Sequence, residues 1–277
     1  MTDNNQTHKV VVIGGGYAGT LAANRLQQNT AIDITLVNPR PKFVQRLRLH
    51  QFVAGTGDAT ADYGTLIGDG VQLVVDSATR IDATDRKVWL ASGRALHYDY
   101  VIYAVGSTGA IPVSVPGAAE FAYPMAELEL AQRLRSAIDQ VHPNGPITVV
   151  GAGLTGIETA AELAEQGRTV TLVCGGRLAP SFGEPARQSV AKWLARNGVE
   201  VLETAVVAEV RPDAVVLADG AVRPSAVTVW AGGFGVPELA RDSGLHTDAL
   251  GRLLTDETLT SVDDGRIVAA GDAVAPS

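Results

Sequence analysis

The chain has 277 residues, with 30 acidic against 22 basic side chains and a formal net charge of −8, so it offers no basic field for nucleic acid or anionic lipid. At roughly 100–200 residues per domain this length predicts two domains or one large one. One cysteine, Cys174, excludes an internal disulfide, a Cys-x-x-Cys redox pair and a cysteine zinc cluster, while 30 glycines and a hydrophobic share of 46 % mark a globular chain with many tight turns.

The polar start MTDNNQTHK lacks the charged and apolar parts of a signal peptide. No later run approaches the ~18 apolar residues of a membrane span, and the expected location is cytoplasmic. KVVVIGGGYAG (9–19) then joins an apolar strand to a glycine cluster, with a helix predicted over 18–28 and a second buried strand over 32–37. Segments 79–81, 87–90 and 94–97 read as a small antiparallel meander, followed by a buried strand at 100–104. Pro112, Pro116 and Gly117 mark an exposed crossing. An amphipathic helix over 125–141 comes next, with Leu128, Ala131, Leu134 and Ile138 on one stripe.

ITVVGAGLTG (147–156) then repeats the strand, glycine cluster and helix, with the helix over 154–166 and the next strand over 169–173. A helix over 185–197 is stopped by Gly198. Short strands fall between 199 and 217, a central strand lies at 227–230, and a last strand over 266–270 runs into Gly271-Asp272. Two strand–helix–strand units require parallel strands in sheets covered on their faces. The predicted fold class is therefore α/β, with two Rossmann-like dinucleotide-binding domains and a small antiparallel meander. The boundaries are 1–115 plus 241–277 for a discontinuous first domain and 116–240 for the second. The five histidines show no metal-ligand spacing, and no metal site is expected.

In GGGYAG, Gly14, Gly16 and Gly19 satisfy G-x-G-x-x-G, and Gly151, Gly153 and Gly156 repeat it in GAGLTG. The first glycine allows the tight turn, the second lets a pyrophosphate approach the backbone, and the third lets helix pack on strand. The phosphates would meet unsatisfied N–H groups at the helix starts, near Tyr17 and Ala18 in the first unit and Leu154 and Thr155 in the second. An acidic residue about 20 positions on normally takes the ribose hydroxyls. The first unit instead has Asn38, followed by Pro39 and Arg40, and the second has Cys174, then Gly175, Gly176 and Arg177. An absent carboxylate beside a guanidinium suits a 2′-phosphate, and Arg177 as a solvated surface residue suits NADH, so both nucleotides stay open.

Together KVVVIGGGYAG, YDYVIYAVGS (98–107), ITVVGAGLTGIE and RIVAAGDA (266–273) resemble the two-dinucleotide-domain flavoproteins of the pyridine nucleotide–disulfide oxidoreductase superfamily. Within it the chain looks most like the type II NADH dehydrogenase and apoptosis-inducing-factor-like branch. The resemblance implies FAD on the first glycine turn and NADH or NADPH on the second. It implies that Asp272, with Gly271 allowing close approach, binds the ribityl chain of FAD, and that Ala104, Val105 and Gly106 form the small-residue turn beside it. Trp230–Gly233, including Ala231 and Gly232, looks like the counterpart turn. Glu158 matches a position near the nicotinamide, and it equally suits the helix dipole.

Lys42–Gln51 falls where disulfide reductases of the superfamily carry redox cysteines, and none is present. Arg46 and Arg48 would meet the FAD pyrophosphate or a flavin carbonyl, and His50 would donate a proton, unless the segment is only amphipathic. The resemblance implies an FAD-dependent NAD(P)H oxidoreductase in which a hydride passes to flavin without a redox disulfide and electrons go on to a quinone or other acceptor. The alternative is a nucleotide-binding redox sensor or a catalytically silent flavoprotein fragment. Members of the branch usually continue past Gly-Asp-Ala into a C-terminal segment that supplies a dimer contact or a peripheral membrane contact on the inner face. That segment is expected to be missing here.

Overall fold

The computed structural model describes residues 7–276, so most of the polar start read above lies outside the described residues. By its contacts the chain divides into two compact units. The first takes the chain up to Val44, Thr60–Thr108 and the chain from Gly235 onward. The second takes Gln45–Ala59 and Gly109–Phe234.

In the first unit, five parallel strands lie in the order Ile267–Ala269, Tyr100–Tyr103, His8–Ile13, Ile32–Asn38, Val71–Val75. The strand His8–Ile13 alternates between two cores. Val10 and Val12 pack with Ala23, Ile34, Leu36 and Tyr63 beneath the helix Tyr17–Leu26, whereas Val11 and Ile13 join Ile81, Val88, Leu90 and Leu239. The second core is roofed by the antiparallel meander Ala78–Asp82, Lys87–Leu90, Ala95–His97. Burial on both faces is why this strand reads as an unbroken apolar run.

The second unit repeats the plan. Its parallel strands run in the order Ala122–Pro124, Val227–Trp230, Ile147–Val150, Val170–Val173, Glu200–Leu202. Val150, Val173 and Trp230 pack against a second antiparallel sheet of Val207–Val210, Ala214–Leu217 and Val222–Pro224. The helices Leu128–Gln140 and Leu154–Glu165 contribute buried Ala131, Leu134, Ile138, Ala160 and Leu163.

The predicted helices and glycine-linked strands form within a few residues of the expected positions, and Gly198 adopts the left-handed φ of +77° that ends the helix Glu184–Arg196. The edge strands Val71–Val75 and Ala122–Pro124 were not read from the sequence; the second has three residues and ends in proline, which leaves no alternation to detect. The expected first domain, 1–115, also differs in one segment. Gln45–Ala59 groups with the second unit because its helix Leu49–Ala54 packs on Leu154–Glu165 and Leu128–Gln140. Arg135 fixes this contact by donating to the Phe52 carbonyl at 3.3 Å while its guanidinium lies 5.0 Å from the Phe52 ring centroid. The return to the first unit comes at Gly235 rather than near 241. No helix among the described residues is long and apolar enough to cross a membrane.

Leu36 is fully buried beneath the helix Tyr17–Leu26. Leu36→Ala is expected to lower unfolding free energy by about 2–5 kcal/mol, measured by urea denaturation.

Candidate functional site

In each unit the third strand of the sheet enters a glycine turn. The strand beside it on one side follows the helical crossover that this turn opens, and the strand on the other side arrives from a distant part of the chain. This reversal is the crevice at which open α/β sheets take their ligands. The two turns share one hydrogen-bond pattern. Gly14 N–H donates to Val37 O at 2.9 Å and Ala104 N–H to Ile13 O at 2.9 Å. Gly151 N–H donates to Val173 O at 2.8 Å and Ala231 N–H to Val150 O at 2.9 Å.

Side chains are excluded from these turns by contact with backbone. Gly14 has φ +102°, and a Cβ there would collide with the Ala104 carbonyl; at Gly151, φ +111°, a Cβ would lie 2.8 Å from Gly232 N and 3.1 Å from Ala231 C. A Cβ on Gly19 would overlap Gly14 O, and one on Gly156 would overlap Gly151 O. By contrast, nothing lies within 4 Å of where a Cβ of Gly16 or Gly153 would stand. These two residues are the N-caps of Tyr17–Leu26 and Leu154–Glu165; neither cap makes a side-chain hydrogen bond, and neither first turn holds an acidic residue. Open space over unsatisfied helix N–H groups is the form of a pyrophosphate cradle.

In the first unit the other expected residues gather at the same end of the sheet. Ser107, in the turn after Ala104, Val105 and Gly106, donates its hydroxyl to Asp272 Oδ2 at 2.6 Å. Gly271, with φ +89°, has its Cβ position 3.4 Å from Ala18 Cβ. Three separated stretches thus present an exposed carboxylate and a helix start together.

Asn38 has a different part from the one expected of it. Its Oδ1 accepts from Gly15 N–H at 3.0 Å and its Nδ2 donates to Arg40 O at 2.8 Å, so this buried amide secures the turn and has one N–H left for a ribose. Sequence reasoning missed two other residues that hold Gly15, Tyr63 and Thr20. The Tyr63 hydroxyl donates to Gly15 O at 2.6 Å and Thr20 Oγ1 donates to the same oxygen at 3.1 Å. Burial pushes the Tyr63 phenol up to about 12, so it stays a donor at neutral pH. Nothing local signals Tyr63, which reaches Gly15 from 48 positions away.

In the second unit Cys174 occupies the place that Asn38 has in the first, and burial pushes its thiol up to about 11. Arg177 is exposed and pairs with Glu184 at 3.1 Å. Ala231 and Gly232 meet Gly151 as above, and the indole Nε1 of Trp230, although buried, has no hydrogen-bond partner among the described residues. Arg46, expected on FAD, falls in the second unit and donates to Ala126 O at 2.9 Å. His50 lies there too, with Nδ1 3.6 Å from Glu158 Oε2 and Nε2 4.0 Å from Glu162 Oε1. Together with Ile157, Val190 and Trp193 these groups line a cavity of about 260 Å³.

The model of a known family, "Pyridine nucleotide-disulphide oxidoreductase", matches residues 8–277. The chain belongs to the pyridine nucleotide-disulphide oxidoreductase family. An NADH dehydrogenase-like protein of Mycobacterium tuberculosis is 32 % identical over 297 residues, covering 96 % of this chain and 73 % of that protein. The type II NADH:quinone oxidoreductase of the same organism is 28 % identical over 313 residues, covering 97 % of this chain and 67 % of its own. Among solved structures, an NAD-dependent persulfide reductase from A. fulgidus superposes with a TM-score of 0.82 at 27 % identity, covering 96 % of this chain. The chain spans about half, 53 %, of the length of that structure.

Tyr63→Phe is expected to remove about 0.5–1.5 kcal/mol of stability by leaving Thr20 as the side-chain donor to the Gly15 carbonyl, read as a lower urea midpoint. Cys174 is expected to react slowly with a thiolate-specific disulfide reagent at pH 8, because a thiol titrating near 11 is almost wholly protonated there; the rate should rise when the chain is unfolded.

Proposed function

We propose that this chain is an FAD-dependent NAD(P)H oxidoreductase, with FAD on the first unit and the nicotinamide nucleotide on the second. The observation that carries this reading is the first unit's convergence of an open, uncapped helix start at Gly16 with the Asp272 carboxylate held by Ser107. FAD, when bound, would supply a two-electron acceptor for hydride from NAD(P)H, with a quinone or similar compound as the onward acceptor. The names of the relatives support the quinone and the nucleotide.

The chain's own residues bind and orient. Backbone N–H groups from Gly16 into the first turn of Tyr17–Leu26 would take the FAD pyrophosphate, and the missing Cβ of Gly16 leaves room for it. Asp272 would accept from hydroxyls of the ribityl chain, with Ser107 holding the carboxylate in place. Tyr63, Thr20 and Asn38 keep the Gly15 backbone fixed, so the cradle is formed before the cofactor arrives. In the second unit Gly153 and the start of Leu154–Glu165 would receive the nucleotide pyrophosphate in the same way. The only cysteine, Cys174, has no partner with which to form a disulfide in the chain, so electrons would leave without one.

Purified protein loaded with FAD is expected to lose its visible flavin bands when NADH or NADPH is added without oxygen. Bands that persist would overturn the oxidoreductase reading and favour a binding protein. Asp272→Ala is expected to lower the flavin retained after gel filtration while leaving the thermal midpoint of the flavin-free protein unchanged; equal retention would remove Asp272 from the site.

A further inference from the structure

Cys174 leaves the second nucleotide turn without the ribose-binding group that its position normally supplies. The chain beyond the neighbouring strand carries a carboxylate close to it, Glu203. Val170–Val173 and Glu200–Leu202 pair in parallel with Thr171, Leu172 and Val173 opposite Glu200, Val201 and Leu202. One residue further, this register sets Cys174 beside Glu203. The pairing continues for one residue, since Cys174 N–H donates to Leu202 O at 3.0 Å; the chain then turns at Gly175, φ +70°, whose N–H donates to Ala205 O at 2.9 Å while Gly176 N–H donates to Glu203 O at 2.9 Å.

Residues opposite each other in a sheet share a face, and successive residues alternate between faces. Val173 packs into the core beneath the small antiparallel sheet, with Leu202 against the same cluster. Cys174 and Glu203 therefore fall on the opposite face, that of the glycine turn. The first unit shows the same geometry in use, because Val37 packs under the meander while the next residue, Asn38, reaches Gly15 of the turn. Glu203 is exposed, and its negative charge adds to burial in raising the Cys174 thiol. Arg177, the cation that would serve a 2′-phosphate, pairs with Glu184 at 3.1 Å, and Glu184 also pairs with Arg187.

We propose that Glu203 supplies, from the third strand, the carboxylate that accepts the adenosine ribose hydroxyls, and that it makes the second unit select NADH over NADPH. The proposal rests on the reading of that unit as the nicotinamide nucleotide site. A carboxylate accepts charge-assisted hydrogen bonds from both hydroxyls of NADH. The 2′-phosphate of NADPH brings a like charge to the same place and removes one of the donors.

The test is equilibrium binding of NADH and of NADPH to the full chain, followed by tryptophan fluorescence or calorimetry, in the parent and in Glu203→Gln. The parent is expected to bind NADH about tenfold or more tightly than NADPH. Glu203→Gln is expected to weaken NADH about tenfold and to leave NADPH unchanged or bound more tightly, so that the preference collapses. Glu203 is on the surface, and an unchanged thermal midpoint would confirm that the variant is folded. A preference for NADH that survives in Glu203→Gln, or a parent that prefers NADPH, would overturn the role of Glu203 while keeping the nucleotide site. A parent that binds neither nucleotide would overturn the site itself and the proposal with it.

Discussion

Backbone packed directly on backbone is the constraint on which each unit depends. Where the central strand leaves the sheet, Gly14 sits against the carbonyl of Ala104 and Gly151 against the Ala231–Gly232 peptide, at separations that exclude a Cβ. The same closeness recurs between Gly19 and Gly14 O and between Gly156 and Gly151 O, drawing each helix onto its strand. Once these contacts are made, the helix start has one direction in which to point, toward the open space at Gly16 and Gly153. Uncapped N–H groups there are stable because water or an anion satisfies them. The steric rule thus fixes the fold and prepares the anion site in one arrangement.

The two units solve the same problem with different side chains. In the first, the Gly15 carbonyl is held by the Tyr63 and Thr20 hydroxyls and its N–H by Asn38. In the second, Ala152 stands where Gly15 does, and its carbonyl accepts from the backbone N–H of Ala179, itself at φ +47°. Side-chain hydroxyls in one unit and a loop amide in the other do equivalent work because a buried carbonyl needs a donor, whatever its source.

Much of the site was legible because its signals are local. The spacing of Gly14, Gly16 and Gly19 and its repeat at Gly151, Gly153 and Gly156 encode a turn within six residues. Apolar runs such as VVVI (10–13) and ITVV (147–150) encode doubly covered strands. The resemblance to a known family added Asp272 and the turn at Ala104–Gly106, which the structure joins through Ser107. Tyr63 and Thr20 were not legible. A tyrosine or threonine in a polar context carries no mark of the distant carbonyl it will serve.

The sequence by itself determined two α/β units and the places of their glycine turns, since each depends on short spacing. Tertiary structure alone decided where residues 45–59 belong. The short helix Leu49–Ala54 has too few residues to declare a partner face, and packing on Leu154–Glu165 and Leu128–Gln140 assigns it to the second unit. It also decided which residue at the end of the third strand comes to lie beside the end of the second strand, as Glu203 does beside Cys174. That depends on register between strands some 30 residues apart, and a register exists only after the sheet has formed.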